Sequence, residues 1–310
     1  MKILRTQDEI MASWKGDLSK PIVSICCTTY NHEKFITSAL RGFLIQETEF
    51  PFEIIIQDDA STDETANIIR QYQLKYPKLI KPIYHNENLY SKGFKPLIMA
   101  MEKCCGKYIA VCEGDDYWCD ENKLSRQVSY LDSNQDIVIS SHDAFIVDEN
   151  NNKIKNSKLP NKFKRDFSGK ELMHGNAWLL TMNWMLRNVD IPNIPERKMV
   201  KNSDDFLISI LGSFGGSHFH TDIQPSAYRI HQGGIWSSLS QDEKLDDKIN
   251  TYFWIYRYYK RISLIESERI FLKKYTNLVF SKASKISLIY SLIKKLIPYK
   301  IKHLISSLRK

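Results

Sequence analysis

Three acids fall within four residues at Glu113-Gly114-Asp115-Asp116, directly after the apolar run Lys107–Cys112. Hard oxygen ligands grouped in this way suit Mg2+ or Mn2+ carrying a diphosphate, with water completing an octahedron. Gly114 between them lets another backbone approach closely. An acidic surface turn could have the same composition, but it would not need so apolar a run before it. A second pair of acids, Asp58-Asp59, ends another apolar run, Glu53–Gln57. Ser61 or Thr62 can cap the helix that follows, which leaves the two carboxylates unexplained. Like charges set together at the end of a buried run are costly unless a ligand uses them. Asp59 is therefore expected to bond a ribose hydroxyl or a base edge, a solvated acidic turn being the plainer reading. A third polar stretch, Thr28-Thr29-Tyr30-Asn31-His32, is neither G-x-G-x-x-G nor a P-loop, which argues against a dinucleotide or P-loop enzyme. It reads as a ledge where Tyr30 stacks on a base and Thr28 or Asn31 bonds to it; Asn31 would equally serve as a helix N-cap.

Each of these stretches follows a strand-like run. Ile22–Cys27, Glu53–Gln57, Leu79–Tyr84 and Lys107–Cys112 are short and apolar, with helix-like stretches at Glu33–Gln46, Asp63–Lys75, Gly93–Cys104 and Asn122–Leu131. Strand–helix repetition implies an α/β fold with a Rossmann-like, mostly parallel sheet flanked by helices. Ligands of such sheets sit beyond the carboxyl ends of the strands. Ile137–Ser140, Ala144–Val147 and Ser226–Ile230 read as further strands, Phe167–Asn188 as a looser Trp-containing region, and Asp204–Leu211 as a helix. After Asp242 the pattern is helical almost to the end, a helical C-terminal extension.

Taken in order, three segments resemble the family 2 glycosyltransferases, inverting enzymes of the GT-A fold. They are Pro21-Ile22-Val23-Ser24-Ile25 with Thr29-Tyr30-Asn31, then Asp58-Asp59-Ala60-Ser61-Thr62-Asp63, then Glu113-Gly114-Asp115-Asp116-Tyr117-Trp118. The resemblance covers roughly residues 20–240 and divides the chain in three. Residues 1–20 form an N-terminal helical extension, 21–240 the GT-A domain, and 241–310 a basic helical region. Within the domain a nucleotide-binding half ends at about residue 135 and an acceptor half begins at about 136. The resemblance implies that Thr28, Tyr30, Asn31, Asp59, Glu113 and Asp115 hold a nucleotide-diphosphate sugar, a UDP-sugar foremost. The family's D-x-D motif here starts with Glu113, so the metal-side acids for Mn2+ or Mg2+ become Asp115 and Asp116. Asn202-Ser203-Asp204-Asp205-Phe206-Leu207 matches the general-base segment, and its Phe-Leu favours Asp205 over Asp204; the alternative is a helix N-cap. The run from Tyr228 to Ser237 resembles the segment that closes the donor site, with Arg229, Trp236 and a His231 placed to ligate the metal or meet the diphosphate. His174-Gly175-Asn176-Ala177-Trp178 resembles the loop beneath the donor sugar, which brings in Asn176 and Trp178.

The activity so implied is glycosyl transfer, with inversion, from a nucleotide-diphosphate sugar to the hydroxyl of a saccharide or lipid-linked acceptor. Family context adds bacterial surface polysaccharide or lipopolysaccharide assembly. A sugar nucleotidyltransferase would want a Gly-rich, basic loop where Thr28–His32 stands, and a non-catalytic nucleotide-sugar binder would not need its acids intact at both sites.

Composition bounds the rest. The 310 residues are 43% hydrophobic and 26% charged, which is globular. Net charge is +8, yet eleven Lys and Arg and no acid lie between Arg269 and Lys310, so the preceding residues sum to −3. That excludes a nucleic-acid-binding body and directs any anionic partner to the tail. There Ile289, Leu292, Ile293, Leu296, Ile297, Ile301, Leu304, Ile305 and Leu308 recur at helical steps among lysines. Residues 282–310 are thus expected to lie as a basic amphipathic helix on an anionic membrane, or to pack on protein, a homo-oligomer included. The N-terminus lacks a signal-like apolar core, no run of about 18 apolar residues occurs, and the cysteines form no C-x-x-C pair. These features point to a cytoplasmic protein with reduced thiols, peripheral on the inner face of the cytoplasmic membrane.

Overall fold

The structure, a computed structural model, describes residues 3–191 and 194–296, without the side chains of 235, 236 and 285–296. It divides into two compact units, one of residues 1–199 with 203–239 and the other of 200–202 with 240–310.

The first unit opens with α1 (Gln7–Met11), β1 (Val23–Thr29), α2 (Ile36–Leu44), β2 (Phe52–Asp58), α3 (Thr65–Lys75) and β3 (Ile80–Tyr84). Next come α4 (Pro96–Met101), β4 (Tyr108–Val111), α5 (Lys123–Ser133), β5 (Ile137–His142), β6 (Ala144–Val147) and β7 (Lys153–Lys155). It closes with α6 (Gly169–Met173), β8 (Met185–Arg187), α7 (Ser203–Leu211), β9 (Gly216–His220), β10 (Ser226–Arg229) and α8 (Ile235–Ser238). Seven strands form one sheet in the order β3-β2-β1-β4-β8-β5-β9, and β8 alone runs against its neighbours. A small second sheet has the order β10-β6-β7.

The strands read as continuous apolar runs because the sheet is covered on both faces. Successive side chains alternate between two cores. Ile25, Cys27, Ile54, Ile56, Tyr108 and Ala110 join Ile36, Leu40, Phe43 and Ile69 on one side. Cys26, Ile55, Ile109 and Val111 join Ile98, Trp184, Leu207 and Leu211 on the other. Residues before β1 belong to the first of these layers: Ile10 is buried in it, and Leu4, Met11 and Trp14 pack against it. The thiols of Cys26, Cys27, Cys104 and Cys112 are buried and free.

Two strands of the main sheet lie where no strand was expected. β8 has three residues inside the stretch read as loose, and it is held by antiparallel pairing to β4 and β5. β9 carries Gly216, His218 and His220, too polar a pattern to signal a strand, and it pairs with β5.

The second unit contains α9 (Gln241–Arg261) and α10 (Ile265–Leu296). Ser240 and Glu243 form a capping box at the start of α9. Tyr252 and Tyr259 of α9 meet Phe271 of α10, with ring centroids 5.5 and 5.9 Å apart. No described helix is long and apolar enough to cross a membrane. The apolar stripe expected from Ile289 to Leu308 lies outside the described side chains.

Candidate active site

β1 lies between β2 and β4 and runs parallel to both, so the carboxyl ends of all three open on one edge. Thr28 is in register with Gln57 and Thr29 with Asp58, which sets two of the polar stretches side by side. The acidic turn after β4 joins them: the Gly114 N–H donates to the Thr28 carbonyl at 2.9 Å. A Cβ on Gly114 would stand 2.7 Å from Thr29 Oγ1, so glycine is what lets this turn lie against β1.

At the centre, Asp115 Oδ2 lies 3.1 Å from His231 Nε2 and 3.9 Å from His32 Nε2. Among the described residues these three offer ligand atoms all within 4.8 Å of one another, and no other group of His, Cys, Asp or Glu does so. His231 Nδ1 is 2.9 Å from the Gln232 carbonyl. A carbonyl only accepts, so Nδ1 carries the proton and Nε2 is the nitrogen turned to the cluster. His32 Nδ1 is buried without a hydrogen-bond partner among the described residues. Burial works to raise the Asp115 carboxyl, but His32 and His231 beside it prevail and hold it below the ordinary range. The bond to Asp115 holds His231 above its usual value, whereas burial lowers His32. His32 stood in the sequence at the end of the polar stretch Thr28–His32 with no role assigned; its only signal was its place just beyond a strand that ends beside the acids.

Asp116 was expected to share the metal with Asp115. It is not in this group: its Oδ1 accepts the Arg229 backbone N–H at 2.7 Å, which ties the acidic turn to β10. Burial, with Asp115 and Glu113 nearby, pushes the Asp116 carboxyl well up. Arg229 is likewise committed. Its Nε donates to the Asp115 carbonyl, Nη1 to the Asp148 carbonyl and Nη2 to Asn151 Oδ1, at 2.8, 3.0 and 2.9 Å. Its guanidinium also lies 4.7 Å over Phe35, whose ring is 4.5 Å from His231.

Glu113, in the first position of the acidic motif, is pushed up to about 8 by burial and by the carboxylates of Asp204 and Asp115. Its Oε2 is buried and has no hydrogen-bond partner among the described residues. Asp204, in the first turn of α7, accepts from Thr181 Oγ1 and from Ser203 Oγ, and burial raises it. Asp204 thus grips Thr181 and adds its charge to the surroundings that raise Glu113.

The nucleotide-side expectations are placed as follows. The two oxygens of Asp59 accept the Leu89 and Tyr90 N–H groups at 2.8 and 2.9 Å, fastening the turn that follows β3. Asn31, at φ 54°, uses its side chain to accept the Thr62 N–H at 2.8 Å, so it bridges the loops after β1 and β2 and does not cap α2. Thr28 is half-buried at the end of β1, and Tyr30 beyond it leaves its ring 41% exposed. Asn176 and Trp178 lie on the loop that leads to Thr181, with Trp178 edge-on to Phe163 and 41% exposed. The side chain of Trp236 lies outside the described residues.

The acids and the sheet edge they occupy define a class of protein. The family model for glycosyl transferase family 2 matches residues 24–185, more than half of the chain, and the chain belongs to that family. Rv1520, an uncharacterised protein of Mycobacterium tuberculosis, is 36% identical over 224 residues, which are 72% of this chain and 62% of that protein. The chain therefore spans less than two thirds of this relative's length. Among solved structures, Staphylococcus aureus TarS 1–349 in complex with UDP-GlcNAc superposes with a TM-score of 0.58 at 20% identity, over 84% of this chain and 72% of that one. The mannosyltransferase PcManGT of Pyrobaculum calidifontis, in complex with GDP-Man and Mn2+, gives 0.54 at 15% identity, over 93% and 84%. At these identities the likeness establishes the fold, which is the GT-A arrangement.

Proposed function

We propose that the protein transfers a glycosyl group from a nucleotide-diphosphate sugar to an acceptor hydroxyl, with inversion at the anomeric carbon. The observation that carries this reading is the meeting of Asp115, His32 and His231 beyond the ends of β1 and β4. The donor set fits a divalent cation: one carboxylate oxygen and one nitrogen from each of two imidazoles, all within 4.8 Å of one another. Asp115, His32 and His231 would hold such a cation, Mn2+ or Mg2+, and when bound it would neutralise charge that builds on the leaving diphosphate.

The chain's own residues supply the rest. Tyr30 and Thr28 border the nucleotide, with Asn31 and Asp59 shaping the loops around it. Asp204 accepts the proton of the attacking hydroxyl as the new bond forms from the face opposite the diphosphate. That bond and the departure of the diphosphate complete the reaction, so no covalent enzyme intermediate is required. Asp204 is put before Asp205 here because its carboxylate is buried at the start of α7 and held there by the Thr181 and Ser203 hydroxyls. Asn176 and Trp178 border the sugar, and an exposed indole suits the apolar face of a saccharide.

The acceptor belongs to a surface glycan or its lipid-linked precursor, and the basic tail holds the enzyme at an anionic membrane. The relatives' bound UDP-GlcNAc and GDP-Man support a nucleotide-sugar donor, with a UDP-sugar first to be tried. The test is a panel of nucleotide-diphosphate sugars with Mn2+, read by thermal stabilisation and by release of the nucleoside diphosphate. If none of the panel stabilises the protein or is cleaved at millimolar concentration, the reading fails.

A further inference from the structure

We propose that His32 is a direct ligand of the cation at Asp115, and that two imidazoles make this a site for a first-row transition ion in preference to Mg2+. The proposal rests on the glycosyl-transfer reading for the ion's task, but not for its binding.

The geometry comes first. The Nε2 atoms of His32 and His231 flank a single carboxylate oxygen, Asp115 Oδ2, at 3.9 and 3.1 Å. The three residues come from the loop after β1, the turn after β4 and the segment after β10. Asp116, the acid that would make the site oxygen-rich, stands outside the cluster and gives its Oδ1 to the Arg229 backbone N–H. The imidazoles are steadied from outside the cluster. Gln232 accepts from His231 Nδ1, and the Phe35 ring packs 4.5 Å from His231 and 6.2 Å from His32. Phe35 is itself 5% exposed and roofed by the Arg229 guanidinium, so this side of the site is walled.

The chemistry follows from the donor set. Mg2+ keeps its waters, dehydrates reluctantly and is bound through carboxylates and phosphates in near-ideal octahedra. Imidazole nitrogen is a poor exchange for its water. Transition ions accept nitrogen, and their affinity for such sites rises from Mn2+ through Co2+ to Ni2+. A site with one carboxylate and two imidazoles therefore separates these ions from Mg2+, where an all-carboxylate site would not.

The experiment is a titration of the full chain with Mn2+ followed by electron paramagnetic resonance, with pulsed measurement of nitrogen coupled to the bound ion. Expected are two coordinated nitrogens in the wild type, Mn2+ held at least about tenfold more tightly than Mg2+, and Co2+ more tightly still. His32→Gln should lose one nitrogen coupling and weaken Mn2+ at least about tenfold, since even loss of an outer partner costs 10–100-fold. His231→Gln should do the same for the other nitrogen. Unchanged affinity and both couplings in a folded His32→Gln protein would overturn the proposal, as would displacement of Mn2+ by equimolar Mg2+. Should His32→Gln not fold, the wild-type spectrum decides: fewer than two nitrogens overturns it. Release of nucleoside diphosphate, followed in parallel, keeps the two readings apart. Two nitrogens with no donor cleaved leaves the ligand assignment standing without the transferase; turnover with fewer than two nitrogens leaves the reverse.

Discussion

Arg229 donates through Nε to the main-chain carbonyl of Asp115 at 2.8 Å, across 114 positions of sequence. A buried arginine so placed holds the acidic turn to β10 and, two residues on, sets the path of the chain into His231. Its fork of donors is used on Asp115, Asp148 and Asn151, which makes it a clamp on the site and not a ligand for the diphosphate.

Arg229→Lys keeps the charge and loses the planar fork. The expected result is a stability loss of about 1–3 kcal/mol, from carbonyls left without donors, together with weaker Mn2+ binding. Denaturant melts and a metal titration check this. Full stability with weakened donor binding alone would mean that the guanidinium meets the substrate.

Asp204→Asn should lower kcat about 10²–10⁴-fold, the usual contribution of a general base, with the donor KM little changed. Asp205→Asn should cost less. Burial raises the Asp204 carboxyl, so it ionises above the ordinary carboxylate range. The base must be ionised to act, so kcat should fall as pH drops through that raised value, and the asparagine variant should lose this acid limb. A larger loss in Asp205→Asn would move the base by one residue.

Tyr30→Ala removes a ring that is 41% exposed, so folding should change little. Nucleotide affinity should fall by about 1–3 kcal/mol if the ring stacks on the base. Isothermal titration with the nucleoside diphosphate, before and after mutation, measures it; a loss of melting temperature with unchanged affinity would assign the ring to packing.

Lys123, fully buried, donates to Gln127 Oε1 and lies 4.1 Å over the Trp118 ring, and burial pushes its ammonium down to about 7 from 10.5. Between those two values the unfolded chain holds a proton that the folded protein does not, so this group makes stability rise with pH across that window. The slope is at most about 1.4 kcal/mol per pH unit, and the effect is absent above it. Lys123→Met should flatten that rise and raise stability at neutral pH. Chemical denaturation from pH 7 to 10 tests the sign; equal slopes for both proteins would mean the ammonium is solvated.

Truncation after Ser281 removes the residues that the tail hypothesis needs. The full chain should float with anionic liposomes at low salt and less so at high salt, because each Lys or Arg near the surface contributes about 1 kcal/mol before screening. The truncated chain should stay below. Equal sedimentation of both would end the membrane assignment.

What the sequence determined by itself was the period and the order of the elements from Val23 to Ser133. The buried β1 and β2 read as unbroken apolar runs, and the polar residues that end them stand out against that background. Local pattern suffices there because a parallel strand covered on both faces must be apolar throughout. Asp115 was legible for the same reason. Three things were decided only by tertiary structure. β8 and β9 are too short or too polar to announce themselves, and exist because β5 offers them partners. Asp116 and Arg229 look like ligands in one dimension, but between the acidic turn and β10 an Asp116 oxygen accepts the Arg229 backbone N–H and the Arg229 guanidinium donates to the Asp115 and Asp148 carbonyls. His32 looks like an ordinary loop residue until the chain, turning through the positive φ of Asn31, brings it to an acid 83 positions away. Which polar group is free to act depends on which neighbours folding supplies, and those neighbours are distant in sequence.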